Sequence, residues 1–234
     1  MTHKLNRDDV TLSGRLLRAI RGAILDGTLP PGQHLSDREL CEMFGVSRGL
    51  IREAIQTLAA EELVTVVPHK GAKVTMLDRN EAQSLYRVRA ALEGLACAEF
   101  TTNADENQRA KLFAVADQLA SLTLEVPPEE LITVKNTFYM HLLDGCRNDV
   151  LAQMFTQLNN RILQLRRLSL GQKYRLPDTI REMAGVVAAI RARDAAKARR
   201  LAEAHVAAAA AVADARFAEL ETNHPNPERK HNNG

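Results

Sequence analysis

The chain has 234 residues and a formal net charge of +2; 45% of its residues are hydrophobic, 26% are charged and 4% are aromatic. These proportions exclude a disordered chain, suit two modest domains and favour a helical, aliphatic core. No apolar run reaches the roughly eighteen residues that a membrane span requires, and we expect no signal peptide.

The first segment, residues 1–77, contains three short helical patterns and one hairpin pattern. Apolar residues recur at helical spacing between Leu12 and Leu25, and the Pro-Pro-Gly sequence at residues 30–32 excludes a continuing helix. Two short stretches, residues 63–67 and 72–76, have the composition of strands joined by a turn. We therefore expect a small β-wing on a helical core.

Between these elements the spacing is that of a helix-turn-helix. Ser36 and Glu39 form an S-x-x-E capping box that opens a short helix ending at Phe44, and Gly45 suits the left-handed turn that follows. Ser47 is the expected N-cap of the next helix, residues 48–60. In such motifs the N-terminal end of this second helix enters the major groove of DNA.

Two arginines lie at that N-terminal end. Arg48 and Arg52 are four residues apart and share one helix face. An arginine there can donate two hydrogen bonds to the edge of a guanine. Ser47 and the helix N-terminus suit a phosphate, and Gly49 removes bulk where the backbone comes close.

The predicted wing carries His69, Lys70 and Lys73 and no acidic residue, so it forms a local basic patch that the small net charge conceals. Two arginines on an exposed helix are, taken alone, commonly just solvated charge. Here a capped short helix, a glycine turn, the arginine pair and a basic hairpin follow one another within forty residues, and this order favours DNA binding.

The same stretch resembles the GntR family of bacterial transcription regulators. The resemblance rests on the sequences LPPGQHLSDREL at residues 29–40, GVSR at 45–48, IREAI at 51–55 and KGAKV at 70–74. It implies a winged helix-turn-helix in residues 1–77 that contacts DNA. The family's contact positions correspond here to Arg38, Ser47, Arg48, Gly49, Arg52, His69, Lys70 and Gly71.

Residues 78–222 show only helical patterns, and the polar residues 223–234 are predicted to form a disordered tail. The fold class expected is therefore mainly α, with an N-terminal winged helix-turn-helix and a C-terminal all-helical bundle. The predicted helices of the bundle span residues 78–100, 106–122, 129–146, 149–168, 177–193 and 194–221.

Polar residues interrupt the apolar faces of this bundle. In its first helix the apolar stripe is predicted to run from Leu85 through Val88 and Leu92 to Leu95, with a charged pair at its edge. The interrupting residues of the bundle are Arg89, Glu93, Lys135, Tyr139 and His205. Because buried charge is costly unless it is paired, they suggest a polar pocket. Each also has a simpler explanation: an exposed i,i+4 pair, a lysine that reaches solvent, or a satisfied core histidine.

The helix order resembles the FCD ligand-binding domain of the FadR-like branch of the GntR family, over about residues 80–215. The residues that carry this resemblance are YRVRAALE at 86–93, Phe138, Leu142, Asn148, Ala189, Ile190, Asp194 and Ala198. Many FCD domains bind a divalent metal through one aspartate and three histidines. The corresponding positions here are Lys135, Tyr139, Met183 and His205.

One histidine does not make a zinc site, and a lysine would place a positive charge where the cation belonged. We therefore expect no metal and no cofactor. Lys135, together with Arg89 and Tyr139, is expected to favour a carboxylate or another small anion as effector, with Met183 and His205 completing the site.

The sequence thus predicts a ligand-responsive transcription regulator, a repressor that binds a palindromic DNA operator as a homodimer. Three well-separated cysteines, Cys41, Cys97 and Cys146, suggest the reducing cytoplasm. Two alternatives stay open: an effector-free architectural DNA-binding protein, and an enzyme in the helical domain. Against the enzyme, we find no nucleophile–base pair and no phosphate-binding loop.

Overall fold

The computed structural model describes residues 11–67, 71–170 and 175–223, and the chain divides into two compact units after Leu77. The elements of the N-terminal unit are α1 (Leu12–Asp26), β1 (His34–Leu35), α2 (Asp37–Phe44), α3 (Arg48–Ala60), β2 (Val64–Val67) and β3 (Gly71–Val74).

The α2–α3 turn forms where the sequence placed it. Gly45 ends α2 with a φ of 66°, and its N–H donates to the carbonyl of Cys41 at 2.9 Å. Ser36 caps α2 by accepting from the backbone N–H of Glu39. Ser47 precedes α3 in extended conformation, but its hydroxyl makes no capping hydrogen bond, which corrects the expected cap.

The wing is a three-stranded antiparallel sheet in the order β1-β3-β2. In it Val64 pairs with Val74 and His34 pairs with Lys73. The two-residue strand β1 was not predicted, because two residues carry no alternation. Backbone hydrogen bonds hold it beside β3: Gly32 donates to Val74, whose own N–H donates to Gln33.

A single aliphatic cluster holds this unit together. Leu16 and Ile20 from α1, Ile51 and Leu58 from α3, and Val74 from the wing are all at most 4% exposed. Burial of this kind of surface is the main force that fixes α3 on α1 and α2, and so leaves the opposite face of α3 in solvent.

The C-terminal unit is all-helical in its described residues. Its helices are α4 (Arg79–Asn103), α5 (Glu106–Ala120), α6 (Pro128–Cys146), α7 (Asp149–Leu170), α8 (Leu176–Arg191) and α9 (Ala195–Asn223). The predicted class, mainly α with a winged helix-turn-helix and a helical bundle, is confirmed. Helix α9 runs one residue into the predicted tail, whose remaining residues lie outside the described ranges.

Helix α4 is the central element of the bundle, since it packs along α9 and against α6, α7 and α8. Its buried face differs from the predicted stripe. Val88 is 47% exposed, whereas Arg89 and Glu93 are each 1% exposed and lie in the middle of that face. The prediction was wrong because it assigned charged side chains to the edge of the interface, and here the two charges are buried as a pair.

Both ends of α4 are fastened by side chains. At its start Asp78 accepts from the N–H of Glu81, and Arg79 forms a two-pronged pair with Asp214 of α9, both N–H···O distances being 2.7 Å. At its end the buried guanidinium of Arg109 donates to the carbonyls of Ala104 and Thr101 at 3.1 and 2.7 Å. These bonds satisfy carbonyls that the last turn of a helix leaves without partners.

Candidate DNA-reading surface and effector site

The predicted DNA contacts that the structure describes are all exposed on the N-terminal unit: Arg38, Ser47, Arg48, Gly49, Arg52 and Gly71. His69 and Lys70 lie outside the described residues. The α2–α3 packing places the first of these residues on α2 and the next four at the start of α3, while Gly71 opens β3. No Cβ clash restricts Gly49, so its lack of a side chain leaves open space at the helix start.

The arginines of this surface differ in their partners. Nε of Arg52 donates to Oδ2 of Asp37 at 2.9 Å, and Nε of Arg38 donates to Oε1 of Glu42 at 3.0 Å. Arg48 makes no ion pair within the part of the chain that the structure describes. The surface therefore presents one unpaired and two paired guanidinium groups to solvent.

In the C-terminal unit four side chains form a buried hydrogen-bonded chain. Nζ of Lys135 lies 3.0 Å from Nε2 of His205, and Nδ1 of the same ring lies 2.6 Å from Oε2 of Glu182. Arg175 donates to both oxygens of Glu182 at 3.0 and 2.7 Å. Lys135, Arg175 and His205 are at most 3% exposed, so α6, α8 and α9 are joined here by polar contacts inside the bundle.

The protonation of this chain follows from its partners. Burial favours the neutral form of Glu182, but the hydrogen bonds from His205 and Arg175 outweigh it and lower the pKa of this carboxyl to about 2. Burial and then the charge of Lys135 lower the pKa of His205 to about 4. The neutral imidazole must donate from Nδ1 to the carboxylate, which leaves the lone pair of Nε2 to accept from the lysine.

A second buried cluster joins α4 to α6. Nε of Arg89 donates to Oε1 of Glu93 at 2.7 Å, and the hydroxyl of Tyr139 donates to the other carboxylate oxygen. Burial opposes the charge on Arg89, but the carboxylate of Glu93 outweighs it and raises the pKa of the guanidinium above its ordinary value. Nη1 of Arg89 is buried and has no hydrogen-bond partner. An unpaired buried donor is costly, so this atom marks a place where an acceptor is missing.

The two clusters form one electrostatic unit, because Glu93 and Arg89 both act on the titration of His205. Their charged members are three cations, Arg89, Lys135 and Arg175, and two carboxylates, Glu93 and Glu182. The neutral ring of His205 lies between Lys135 and Glu182. We call these residues, together with Tyr139, the buried polar network.

Met183 makes none of the polar contacts of the buried polar network, and its place in the effector site stays a prediction. It is 3% exposed within the hydrophobic core and lines a cleft of about 210 Å³ between α5 and α8. Its neighbour Glu182 makes the polar contacts instead. Arg191 lies over the ring of Phe113, 3.9 Å from the ring centre, and pairs with Asp117 at the margin of this cleft.

Comparison with known families decides the identity of this two-part molecule. The model of the bacterial regulatory proteins of the gntR family matches residues 12–74, and the model of the FCD domain matches residues 84–208. The chain belongs to the GntR family. It is a transcription regulator with a DNA-binding helix-turn-helix and an FCD effector-binding domain, and its matched families are not enzyme families.

Individual relatives of this GntR regulator agree with the family match. The repressor GlaR of Escherichia coli is 27% identical over 198 residues, which are 81% of this chain and 90% of that protein. The regulator YdhC of Bacillus subtilis is 28% identical over 70% of this chain and 73% of its own length. Among solved structures, E. coli McbR/YncC has a TM-score of 0.75 at 21% identity, over 89% of this chain and 99% of that chain. The similarity to McbR/YncC, at this low identity, shows a shared fold.

The residues of this GntR regulator do not fit the divalent metal that many FCD domains hold. Within the described residues no group of three histidine, cysteine or carboxylate side chains could hold a metal ion. At the four positions that correspond to the family's ligands, only His205 is a typical metal ligand. Its Nε2 already accepts from Lys135, and its Nδ1 donates to Glu182. Neither nitrogen is left for a cation.

Two members of the buried polar network were missed from the sequence, and a third was predicted with an alternative. Glu182 and Arg175 were not singled out, and Glu93 was left with the alternative of an exposed pair. The only signal for Glu182 was the rule that a buried histidine needs a partner. Which helix supplies that partner depends on the register of α8 against α9, which sequence spacing does not determine.

Proposed function

We propose that this GntR regulator is a repressor that binds a palindromic operator as a homodimer and responds to a small carboxylate-like effector. GlaR, the relative with the longest coverage reported above, is named a repressor. A dimer with two-fold symmetry presents two reading helices, and two such helices match a palindrome. An operator in a bacterial cell lies in the cytoplasm, and the proposed function places the protein there.

Base reading is assigned to Arg48 and Arg52 at the start of α3. Both side chains are exposed, on the helix that a helix-turn-helix inserts into the major groove. Ser47, whose hydroxyl makes no bond to its own helix, and Gly49 are assigned to the phosphate backbone. Arg38, Gly71, His69 and Lys70 are proposed as flanking contacts.

Binding of the effector is assigned to the buried polar network. The observation that supports this assignment is the buried donor Nη1 of Arg89, which has no hydrogen-bond partner within a network that also contains the cations of Lys135 and Arg175. A carboxylate supplies an acceptor for this donor, and its negative charge is attracted by the cations of the network. The ammonium group of Lys135 supplies the positive charge that the metal ion supplies in other FCD domains, so that no metal or other cofactor is needed.

Lys135, Arg175 and His205 are at most 3% exposed and the side chain of Glu182 is 24% exposed, so the effector must enter through a local opening. We assign the entry to the cleft between α5 and α8. Met183 lines this cleft, and Glu182, the residue directly before it on α8, belongs to the buried polar network. Methionine is flexible and can move aside at small cost. This gives Met183 a role at the entrance of the site.

The operator is tested by selection of genomic fragments with the purified protein and with its Arg48→Ala variant at near-physiological salt. We expect the wild type to enrich a few fragments that share a short palindrome, and the variant to enrich none while its circular dichroism is unchanged. Salt is stated because the phosphate contribution to binding depends steeply on it. Enrichment of bulk DNA by both proteins would favour an architectural DNA-binding protein.

The effector is tested by thermal shift with a panel of small mono- and dicarboxylates and their uncharged amides. We expect some acids, and none of the amides, to raise the melting temperature and to weaken operator binding. Lys135→Met should remove both effects and keep operator affinity. Lys111→Met, which removes an exposed lysine of the same unit, is the matched control. No response to any acid at millimolar concentration would contradict the assignment.

A further inference from the structure

One of the two proposed base-reading arginines is tied to an acid on the neighbouring helix. Arg52 of α3 and Asp37 of α2 are fifteen residues apart, and the helix-turn-helix brings Nε and Oδ2 within 2.9 Å. Their side chains are 72% and 36% exposed. The pair therefore lies at the surface, on the side of the unit where the DNA contacts are expected.

The pairing leaves the far end of the guanidinium available. Asp37 takes up Nε, and Nη1 and Nη2 make no hydrogen bond to any described residue. These two nitrogens point two parallel N–H donors in one direction, which is the pattern that O6 and N7 of guanine accept. An arginine held through Nε is thus oriented for a base without losing its bidentate donors.

The pairing also affects the entropy of binding. A free exposed arginine samples many rotamers and loses this freedom when it binds a base. Arg52 has already lost part of it in the pair with Asp37. Arg48, which has no acidic partner among the described residues, has no comparable restraint.

The carboxylate of Asp37 has an opposite effect on binding without sequence readout. A negative charge near the DNA repels phosphates and weakens binding to any sequence. An acid at this place therefore lowers affinity in general, and it is useful only where an oriented arginine gains more from the correct base than from a wrong one.

We propose that Asp37 is a positioning residue that sets the base selectivity of Arg52 and suppresses binding to non-operator DNA. The proposal rests on the proposed function, in which Arg52 reads a base. Asp37 itself is not assigned a contact with DNA. The pair Arg38–Glu42 provides the comparison, since it is an i,i+4 pair within α2 whose side chains are 80% and 65% exposed.

The experiment uses duplexes of the palindrome that the wild-type chain selects from a random library, and a scrambled duplex, at about 150 mM salt. Every position of the palindrome is changed singly, and the position at which Arg52→Ala loses discrimination is assigned to Arg52. At that position we expect the preference of Asp37→Asn for guanine over the other bases to be about tenfold smaller than that of the wild type. At all other positions its base preferences should equal those of the wild type. Binding of Asp37→Asn to the scrambled duplex should rise about threefold.

Two matched variants separate orientation from charge. Glu42→Gln removes an equal charge from α2 and should raise binding to the scrambled duplex while leaving the preference for guanine unchanged. Asp37→Glu restores the carboxylate and should recover most of the preference. Melting curves of all variants by circular dichroism confirm that each is folded.

Two outcomes would overturn the proposal. If Asp37→Asn keeps the preference for guanine within twofold, or if it strengthens binding to all duplexes equally, Asp37 is only a repelling charge. If the wild type selects a palindrome but Arg52→Ala changes no position, Arg52 reads no base and the positioning role falls with it. Failure of the wild type to select any palindrome is a different result, which rejects the proposed function itself.

Discussion

At the scale of single residues, the unusual feature of this regulator is a neutral histidine held between a buried lysine and a carboxylate. His205 is 2% exposed, contacts Lys135 and Glu182, and also experiences the charges of Glu93 and Arg89. Its proton is on Nδ1, which faces Glu182. A second proton on Nε2 would charge a buried ring and would face the ammonium group of Lys135, and burial together with this repulsion lowers the pKa of His205.

The low pKa of His205 makes the free energy of unfolding depend on pH. The pKa of His205 falls from 6.5 to about 4 on folding, so the unfolded chain binds this proton more strongly. The contribution of the neutral His205 to the free energy of unfolding is complete above pH 6.5 and is lost as the pH falls towards 4. We expect chemical denaturation to give a free energy of unfolding roughly 2 kcal/mol lower at pH 5 than at pH 7.

His205→Gln is the control for this prediction, because it keeps a donor and an acceptor and cannot titrate. Its pH dependence between 5 and 7 should be flatter than that of the wild type. Equal slopes for both proteins would show that other groups cause the dependence. Glu182, whose pKa is lowered to about 2, loses its contribution only below pH 4.5 and so lies outside this window.

The same residues lead to a prediction about metal. Since Lys135 occupies Nε2 of His205, we expect equilibrium dialysis with zinc to give no stoichiometric binding, and a chelator to leave operator affinity unchanged. Stoichiometric zinc that disappears in His205→Ala would contradict both the metal-free site and the role of Lys135.

At the scale of elements, the ends of helices were more predictable than their faces. Asp37–Phe44 and Arg48–Ala60 match the predicted bounds, because caps and left-handed glycines act within a few residues of chain. The face of α4 was predicted incorrectly, because its burial depends on partners from α6. Periodicity records hydrophobic character, and it does not show that Arg89 and Glu93 of α4 are buried as a pair with Tyr139 of α6.

Close packing of α4 against α6 gives a prediction on stability. A Cβ at Gly145 would overlap the ring of Phe100, which is fully buried and cannot move aside. We expect Gly145→Ala to lower the free energy of unfolding by about 1–3 kcal/mol. Gly185→Ala in α8 is the matched control, since its Cβ would lie 3.8 Å from Leu201 in ordinary contact.

The control should have the opposite sign. Alanine is favoured over glycine inside a helix by up to about 1 kcal/mol, so Gly185→Ala is expected to be neutral or stabilising. Thermal and urea denaturation measure both variants. If Gly145→Ala is as stable as Gly185→Ala, the α4–α6 contact is looser than the structure describes.

At the scale of the whole molecule, the proposed repressor must couple its two functions. Linkage requires that an acid which weakens operator binding by a given factor is itself bound more weakly, by the same factor, in the presence of operator. We expect titration calorimetry of the acid with and without operator to give this equality for the wild type. Lys135→Met should abolish the factor on both sides, and unequal factors would show a third linked equilibrium.

No helix in the described ranges is long and apolar enough to cross a membrane.

The organisation of the chain in two units could be predicted from the sequence, because a change from mixed to purely helical patterns at residue 78 is visible in a single chain. Glu182 and Arg175 could not be, since their role exists only once α8 has packed against α9.

The fastening of α4 at both ends has a mechanical consequence. Its first turn is tied to Asp214 and its last carbonyls accept from Arg109, and these bonds oppose fraying at both ends of the helix. Arg89 lies eleven residues, or about 16 Å along the axis, from Asp78. Under the proposed function, an effector that displaces Arg89 would also displace the start of α4, because the helix is held by side chains at both ends.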